Sequence, residues 1–227
     1  MNSTDPRDLI SWATTIRDRT LIVAFPTPYR VLSWAPLHGG FTEARTILNH
    51  QVQTEAYPAH EPGVFLHSLA QQLNVHAPVV GLMTGVKLER LVRRVSQHDA
   101  ILIECFATVG LSNALAVGDP ATYEEQPGTI NLILVVNQPI ADAALVEAVA
   151  VMTEAKVRAL YAAVVKSTIS DALATGTGTD CVAVACPLGA PAYAYCGKHT
   201  RLGELLGQAV YEAVAEGIRR AQEAQPL

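Results

Sequence analysis

Ala100-Ile-Leu-Ile-Glu-Cys-Phe-Ala-Thr108 is an almost unbroken apolar run, the pattern of a strand covered on both faces rather than one that alternates between core and water. Two later stretches have the same character, Thr129-Ile-Asn-Leu-Ile-Leu-Val-Val136 and Cys181-Val-Ala-Val-Ala-Cys186. Between the last two lies a segment with helical spacing, starting at Pro139 and running to about Val165. Another, Arg201 to Arg220, places Leu202, Leu206, Ala209, Ala213 and Ile218 on one face, with Thr200 as its natural N-cap.

Outward from this centre the pattern changes. The first third reads as short strands, Leu21 to Phe25, Arg30 to Trp34 and Thr46 to Val52, separated by Pro26, Pro28, Pro36 and the pair Gly39-Gly40. Pro62 then opens a helix over Gly63 to Leu73, Pro78 to Met83 returns to a buried strand, and Lys87 to Gln97 reads as an amphipathic helix with its basic residues outward. The loop from Gly110 to Gly128 is long for a compact domain, which marks it for function or disorder. Hairpin-like strands at the start and alternating elements in the middle predict an α/β or α+β fold: a mixed sheet with helices packed on it. One domain over residues 1–227 is expected, with 1–19 as a peripheral N-terminal extension.

Composition narrows the function classes. An apolar fraction of 50% is ample for a core, and 16 basic against 21 acidic residues leave no extended positive field for a phosphate backbone. Nucleic acid is therefore not an expected partner. Asp5, Arg7, Asp8, Arg17 and Asp18 interrupt the N-terminus before any run of signal-peptide length, and no apolar run reaches the roughly 20 residues of a membrane span. A cytoplasmic location is expected, with Cys105, Cys181, Cys186 and Cys196 as free thiols. The spacing Cys181-x4-Cys186-x9-Cys196-x2-His199 invites a test for zinc. An extended Cys181–Cys186 segment would point these two cysteines to opposite faces, so no metal site is predicted.

Lys156 carries the strongest chemical signal. With Leu145 at zero on a wheel of about 100° per residue, Met152 falls near −20°, Ala163 at zero and Lys156 near 20°, in the middle of the apolar stripe. A lysine there either snorkels to the edge or meets an anion inside, because an isolated buried charge costs several kcal/mol. Glu154 falls on the opposite side, where Arg158 is available as an i+4 partner. The carboxylate of Asp180 closes the segment Ala174-Thr-Gly-Thr-Gly-Thr-Asp180, whose glycines let the backbone bend or approach a ligand and whose Thr175, Thr177 and Thr179 supply hydroxyls. That segment lacks the Lys-Ser/Thr ending of a P-loop. Asn131, inside an apolar strand, needs partners for its amide. His199, before the last helix, is the histidine best placed for proton transfer, followed by His38 beside Gly39-Gly40.

The stretches Pro127-Gly-Thr-Ile-Asn131, Thr153-Glu-Ala-Lys-Val-Arg-Ala-Leu160, Ala174 to Val184 and Gly197-Lys-His-Thr-Arg-Leu-Gly203 resemble the adenosylcobinamide amidohydrolases, the CbiZ family. The likeness runs from about Val31 to Gln222 and includes Gly81-Leu-Met-Thr84 and Ala107-Thr-Val-Gly-Leu111. It implies hydrolysis of the amide joining aminopropanol to the corrin ring system, releasing adenosylcobyric acid and aminopropanol for cobamide salvage. The corrinoid would then be substrate, not cofactor, and no other cofactor is implied. Catalytic candidates are Asp180 or His199 as base towards water, and Lys156 or backbone N–H groups facing the oxyanion. Thr177, Thr179 or Cys196 could instead attack directly. Asn131, Thr129, Thr108, Glu154 and His38 are the candidate substrate contacts. Competing readings are a corrinoid-binding protein without turnover and an amidohydrolase for a smaller amide. A homo-oligomer is compatible with the sequence, which does not locate its surface.

Overall fold

The computed structural model describes residues 9–53, 61–121 and 128–224. Its main sheet contains strands β1 (Ala13–Arg17), β2 (Thr20–Ser33), β3 (Gly40–Gln51), β4 (Val79–Thr84), β5 (Val92–His98), β6 (Ile101–Val109), β8 (Ile130–Val136) and β10 (Cys181–Pro187). They run in the order β4-β3-β2-β10-β8-β6-β5, with β1 paired to the first half of β2. The β3/β4 and β8/β10 pairs are parallel and the other pairs antiparallel, so the sheet is mixed, as expected. Short strands β7 (Ala114–Leu115) and β9 (Gly176–Thr177) form a separate two-stranded ladder. Helices α1 (Pro62–Gln72), α2 (Asp142–Ala162) and α3 (Arg201–Glu223) pack on one face, making a single α+β domain.

The three apolar runs became β6, β8 and β10, adjacent or next-adjacent in the sheet and buried on both faces. On the helix side, Ile103, Cys105, Leu132, Leu134, Val182 and Val184 meet α2 and α3. On the other side, Leu102, Phe106, Ile133, Val135, Ala183 and Ala185 join Val31, Ile47 and Leu82. Among the described residues, α1, α2 and α3 all leave that second core uncovered. It is closed by curvature. Laid flat, β8 and β4 would be four strand spacings, about 19 Å, apart. Instead Asn131 Nδ2 donates to Met83 O at 2.6 Å and to Asn49 Oδ1 at 2.9 Å, so the sheet curls until its inner faces touch.

Four expectations needed correction. Leu21–Phe25 and Arg30–Trp34 are halves of one strand, and the ladder irregularity between Ala24 and Tyr29 accommodates Pro26 and Pro28, which have no N–H to donate. Lys87–Gln97 is a single 3₁₀ turn followed by β5. Its Val92 and Ser96 face inward, and the strand pairs with β6 through a two-residue turn with Asp99 at φ 49°. Pro139 lies ahead of its helix, which starts at Asp142. The described part of the N-terminal extension is integrated: β1 joins β2 across Asp18 and Arg19, both at positive φ, and the indole of buried Trp12 donates to Glu104 Oε2 at 2.5 Å. Glu104 is fully buried, and Arg93 donates to its other oxygen. Two-residue hairpins demand positive φ, and here non-glycine residues supply it, so the usual glycine signal is missing.

Candidate active site

The carboxylate of Asp180 stands at the entrance to β10, on the helix side of the sheet. Its Oδ1 accepts from Thr177 Oγ1 at 2.5 Å, from Thr177 N at 3.1 Å and from Ile130 N at 3.1 Å. Its Oδ2 accepts from Lys156 Nζ. Both side chains of this ion pair are only 11% exposed. The lysine in the apolar stripe therefore finds its anion inside rather than snorkelling to water, the arrangement a buried ammonium requires. An ammonium has three N–H donors, and among the described residues Asp180 takes one of them.

Gly176 explains why this turn is built from glycine. A Cβ placed there would lie 2.6 Å from Lys156 Nζ and closer still to Asp180 Oδ2. The missing side chain is the space that the ion pair occupies. Gly178 has a related role, since a Cβ there would meet the Asn113 amide at 2.8 Å.

The other threonines extend the cluster inward. Thr179 Oγ1 donates to Gly128 O, and Thr129 Oγ1 lies within hydrogen-bonding distance of Thr179 O (2.9 Å) and Asn131 Oδ1 (3.0 Å). Asn49 Nδ2 donates to Thr108 Oγ1 at 3.2 Å. Asn131 thus has every polar atom engaged by protein and serves as the tie across the curled sheet. Asn49 and Trp34 belong to this region and have no local signal in the sequence. Asn49 sits in a strand whose polar side chain looks like a surface residue until the sheet curls.

Three sequence candidates fall elsewhere. Glu154 points away from the cluster and pairs with Lys198, at 2.8 and 2.6 Å, rather than with Arg158, which lies over the ring of Tyr211. These residues line a groove of about 650 Å³ between α2 and α3 that includes neither Lys156 nor Asp180. His199 is exposed at the start of α3, with no hydrogen bond to the Asp180 cluster among the described residues. His38 is exposed in the β2–β3 connection, with φ 55° and Nδ1 donating to Val79 O. Thr200 caps α3 as expected, accepting from Gly203 N at 3.0 Å.

The cysteines are packing residues. Cys181 belongs to the inner core and Cys186 to the helix-side core, the opposite facing that strand alternation requires. Burial pushes the thiols of Cys181 and Cys196 up to about 12, with the nearby charges of Asp180 and Glu147 adding to the shift. A fully buried thiol in that range carries little thiolate near neutral pH, which speaks against Cys196 as a direct nucleophile.

Comparison with known proteins places the whole chain. The model of the adenosylcobinamide amidohydrolase family, CbiZ, matches residues 6–226. The chain belongs to that family. Among its relatives, an uncharacterized protein of Methanocaldococcus jannaschii is 29% identical over 222 residues, covering 88% of this chain and 86% of the relative. The adenosylcobinamide amidohydrolase of Methanosarcina mazei is 29% identical over 212 residues, covering 89% and 96%. That of Halobacterium salinarum is 34% identical over 157 residues, covering 66% and 62%. The CbiZ match begins ahead of β1, consistent with β1 being part of the sheet. As an amidohydrolase family member the chain falls among hydrolases, and no helix among its described residues is long and apolar enough to cross a membrane.

Proposed function

We propose that this protein hydrolyses the amide linking aminopropanol to the corrin ring system of adenosylcobinamide, releasing adenosylcobyric acid and aminopropanol for cobamide salvage in the cytoplasm. The corrinoid is substrate, and water is the second reactant.

One observation carries this reading. Three stretches that resemble the family, widely separated in the chain, deliver their polar groups to one carboxylate: Ile130 N from the first, Lys156 from the second, and Thr177 with the space left by Gly176 from the third. Packing alone would not need a hydroxyl, an ammonium and a carboxylate at one sheet end. Amide cleavage does, because it requires an attacking oxygen, stabilisation of the tetrahedral oxyanion and a proton for the leaving amine.

In this scheme the Thr177 hydroxyl already aims its proton at Asp180 Oδ1, so its own oxygen, or a water aligned on it, attacks the carbonyl carbon as Asp180 takes the proton. The N–H groups of Lys156 not used by Asp180 face the developing oxyanion, and the proton gathered at Asp180 passes to the departing aminopropanol nitrogen. Where Thr177 Oγ1 itself attacks, the ester it forms is then cleaved by a water that Asp180 deprotonates, restoring the hydroxyl; by either route one water is added across the bond and a carboxylate is left on the corrin side.

Purified protein incubated with adenosylcobinamide should produce a less basic corrinoid on ion-exchange chromatography, with a mass matching loss of aminopropanol and gain of one water as the carboxylic acid. The folded Asp180→Asn variant should leave the substrate intact. Full activity in that variant would remove Asp180 from the mechanism, and unchanged substrate with the native protein would overturn the reading itself.

A further inference from the structure

The helix-side face of the sheet is not evenly covered. At one edge α1 covers Ile22, Leu48 and Val79, and on the other side α2 and α3 cover β10, β8 and β6. Between them runs a strip formed by the second half of β2 and the start of β3. In this strip Leu32 pairs with Phe41 and Arg30 with Glu43. Leu32 is only half-buried, while Phe41 is 45% and Trp34 50% exposed.

Trp34 is anchored although it is exposed. The ladder pairs Ser33 with Ala183, so Trp34 follows opposite the start of β10, and its indole N–H donates to the backbone carbonyl of Asp180 at 2.7 Å. An exposed indole with its one polar atom fixed to the candidate catalytic residue has a preset orientation and an open apolar face. Arg30 closes the far side of the strip: it lies over the Phe41 ring, 5.3 Å from the centroid, and forms a two-point ion pair with Asp142 at the start of α2.

We propose that Trp34, with Leu32 and Phe41 beside it, is the platform on which the flat ring system of the corrinoid stacks, setting the scissile amide over Thr177 and Asp180. The inference rests on the function proposed above. A broad macrocycle needs an equally broad, rigid surface next to the reacting groups, and a pre-oriented aromatic ring gives its ring face contact area at little ordering cost. This strip is continuous with the Asp180 turn through a hydrogen bond. The groove between α2 and α3, in contrast, is rimmed by Glu154, Arg158, Lys198 and Glu204, includes neither Lys156 nor Asp180, and lies on the far side of α2.

The test compares Trp34→Ala, Trp34→Leu and Trp34→Phe with the native protein, measuring kcat and KM for adenosylcobinamide and equilibrium binding of cobinamide by ultrafiltration. Trp34 is exposed, so the variants should fold, and circular dichroism checks this. Trp34→Ala and Trp34→Leu should raise KM and the cobinamide Kd about tenfold or more with kcat changed less than threefold. Trp34→Phe, which keeps a flat ring but loses the N–H, should stay within about threefold of native in both binding measures. Unchanged binding in Trp34→Ala overturns the platform, as does a fall in kcat with KM intact, which would mean that the indole only positions the Asp180 backbone. A native protein that neither binds nor cleaves the corrinoid overturns the underlying function instead.

Discussion

Two lysine–carboxylate pairs are anchored in the same helix, less than one turn apart, and they live in different solvents. Lys156 meets Asp180 with both side chains 11% exposed, whereas Glu154 meets Lys198 with side chains 55% and 69% exposed. The groups are chemically alike. Helical phase alone separates them, since residues two apart point about 200° from one another around the axis. Inside, each charge depends on the other, because water is not there to replace a lost partner. Outside, solvent screens the pair and readily replaces either member.

The largest effect should come from breaking the inner pair. Lys156→Met or Asp180→Ala is expected to lower activity by about 100-fold or more and to cost about 3–5 kcal/mol by leaving an uncompensated buried charge. Urea denaturation and corrinoid turnover measure the two losses. Combining Lys156→Met with Asp180→Asn removes both charges while keeping acceptors for Thr177 and Ile130. Stability should then recover in part and activity should not, and recovery of both would reduce the pair to a structural staple.

Thr177 sharpens the comparison further, because its hydroxyl is the group that the inner pair has and the outer one lacks. Thr177→Val should reduce kcat by about 100-fold with a smaller loss of stability, while Thr177→Ser should retain much of the rate. Equal rates for Val and Thr would remove the hydroxyl from the chemistry.

Gly176→Ala should force the pair apart through overpacking, at a cost of about 1–3 kcal/mol, with activity falling alongside. Thermal unfolding at native pH would detect the shift, and an unaltered melting temperature would mean that the turn yields without strain. The smallest effect is expected outside. Glu154→Gln and Lys198→Ala should each change stability by about 1 kcal/mol or less and leave turnover unaltered. A loss of activity comparable with that of Lys156→Met would abolish the distinction between the two sides of the helix.

Much of this was legible in the order of residues. A continuous run such as Ala100–Thr108 can satisfy its apolar side chains only where both faces are covered, and it became β6. The wheel angle of Lys156 sets it in the apolar stripe and leaves two outcomes, a snorkelling ammonium or an internal anion, and the carboxylate that closes the Gly/Thr segment is that anion. The resemblance of the Pro127, Thr153 and Ala174 stretches to one family marked the same residues before any geometry was known.

What escaped had physical reasons. Leu91, Val92 and Val95 fall at helical spacing, but the strand buries Val92 and Ser96 and leaves Val95 exposed, and only pairing with β6 decided for β5. Asp18-Arg19 makes a tight turn without glycine, so nothing local in the sequence announces the β1–β2 hairpin. The imidazole of His199 has the chemistry for proton transfer, but the start of α3 holds it on the surface. Trp34 could not be recognised because nothing local shows that the sheet beneath it would lack a helix, and Asn49 acquires its role only through the curl that brings it to Asn131.

β10 lies between β2 and β8, which makes it the seam of the sheet. Everything on one side of it comes from the first 84 residues and everything on the other from the middle of the chain. As the protein emerges from the ribosome, these two half-sheets must wait with bare edges until the segment after Asp180 is made. A chain interrupted before Cys181 would expose two strand edges open to pairing with neighbours. The same insertion brings Asp180 to Lys156, so the candidate site is assembled only once that joint is closed.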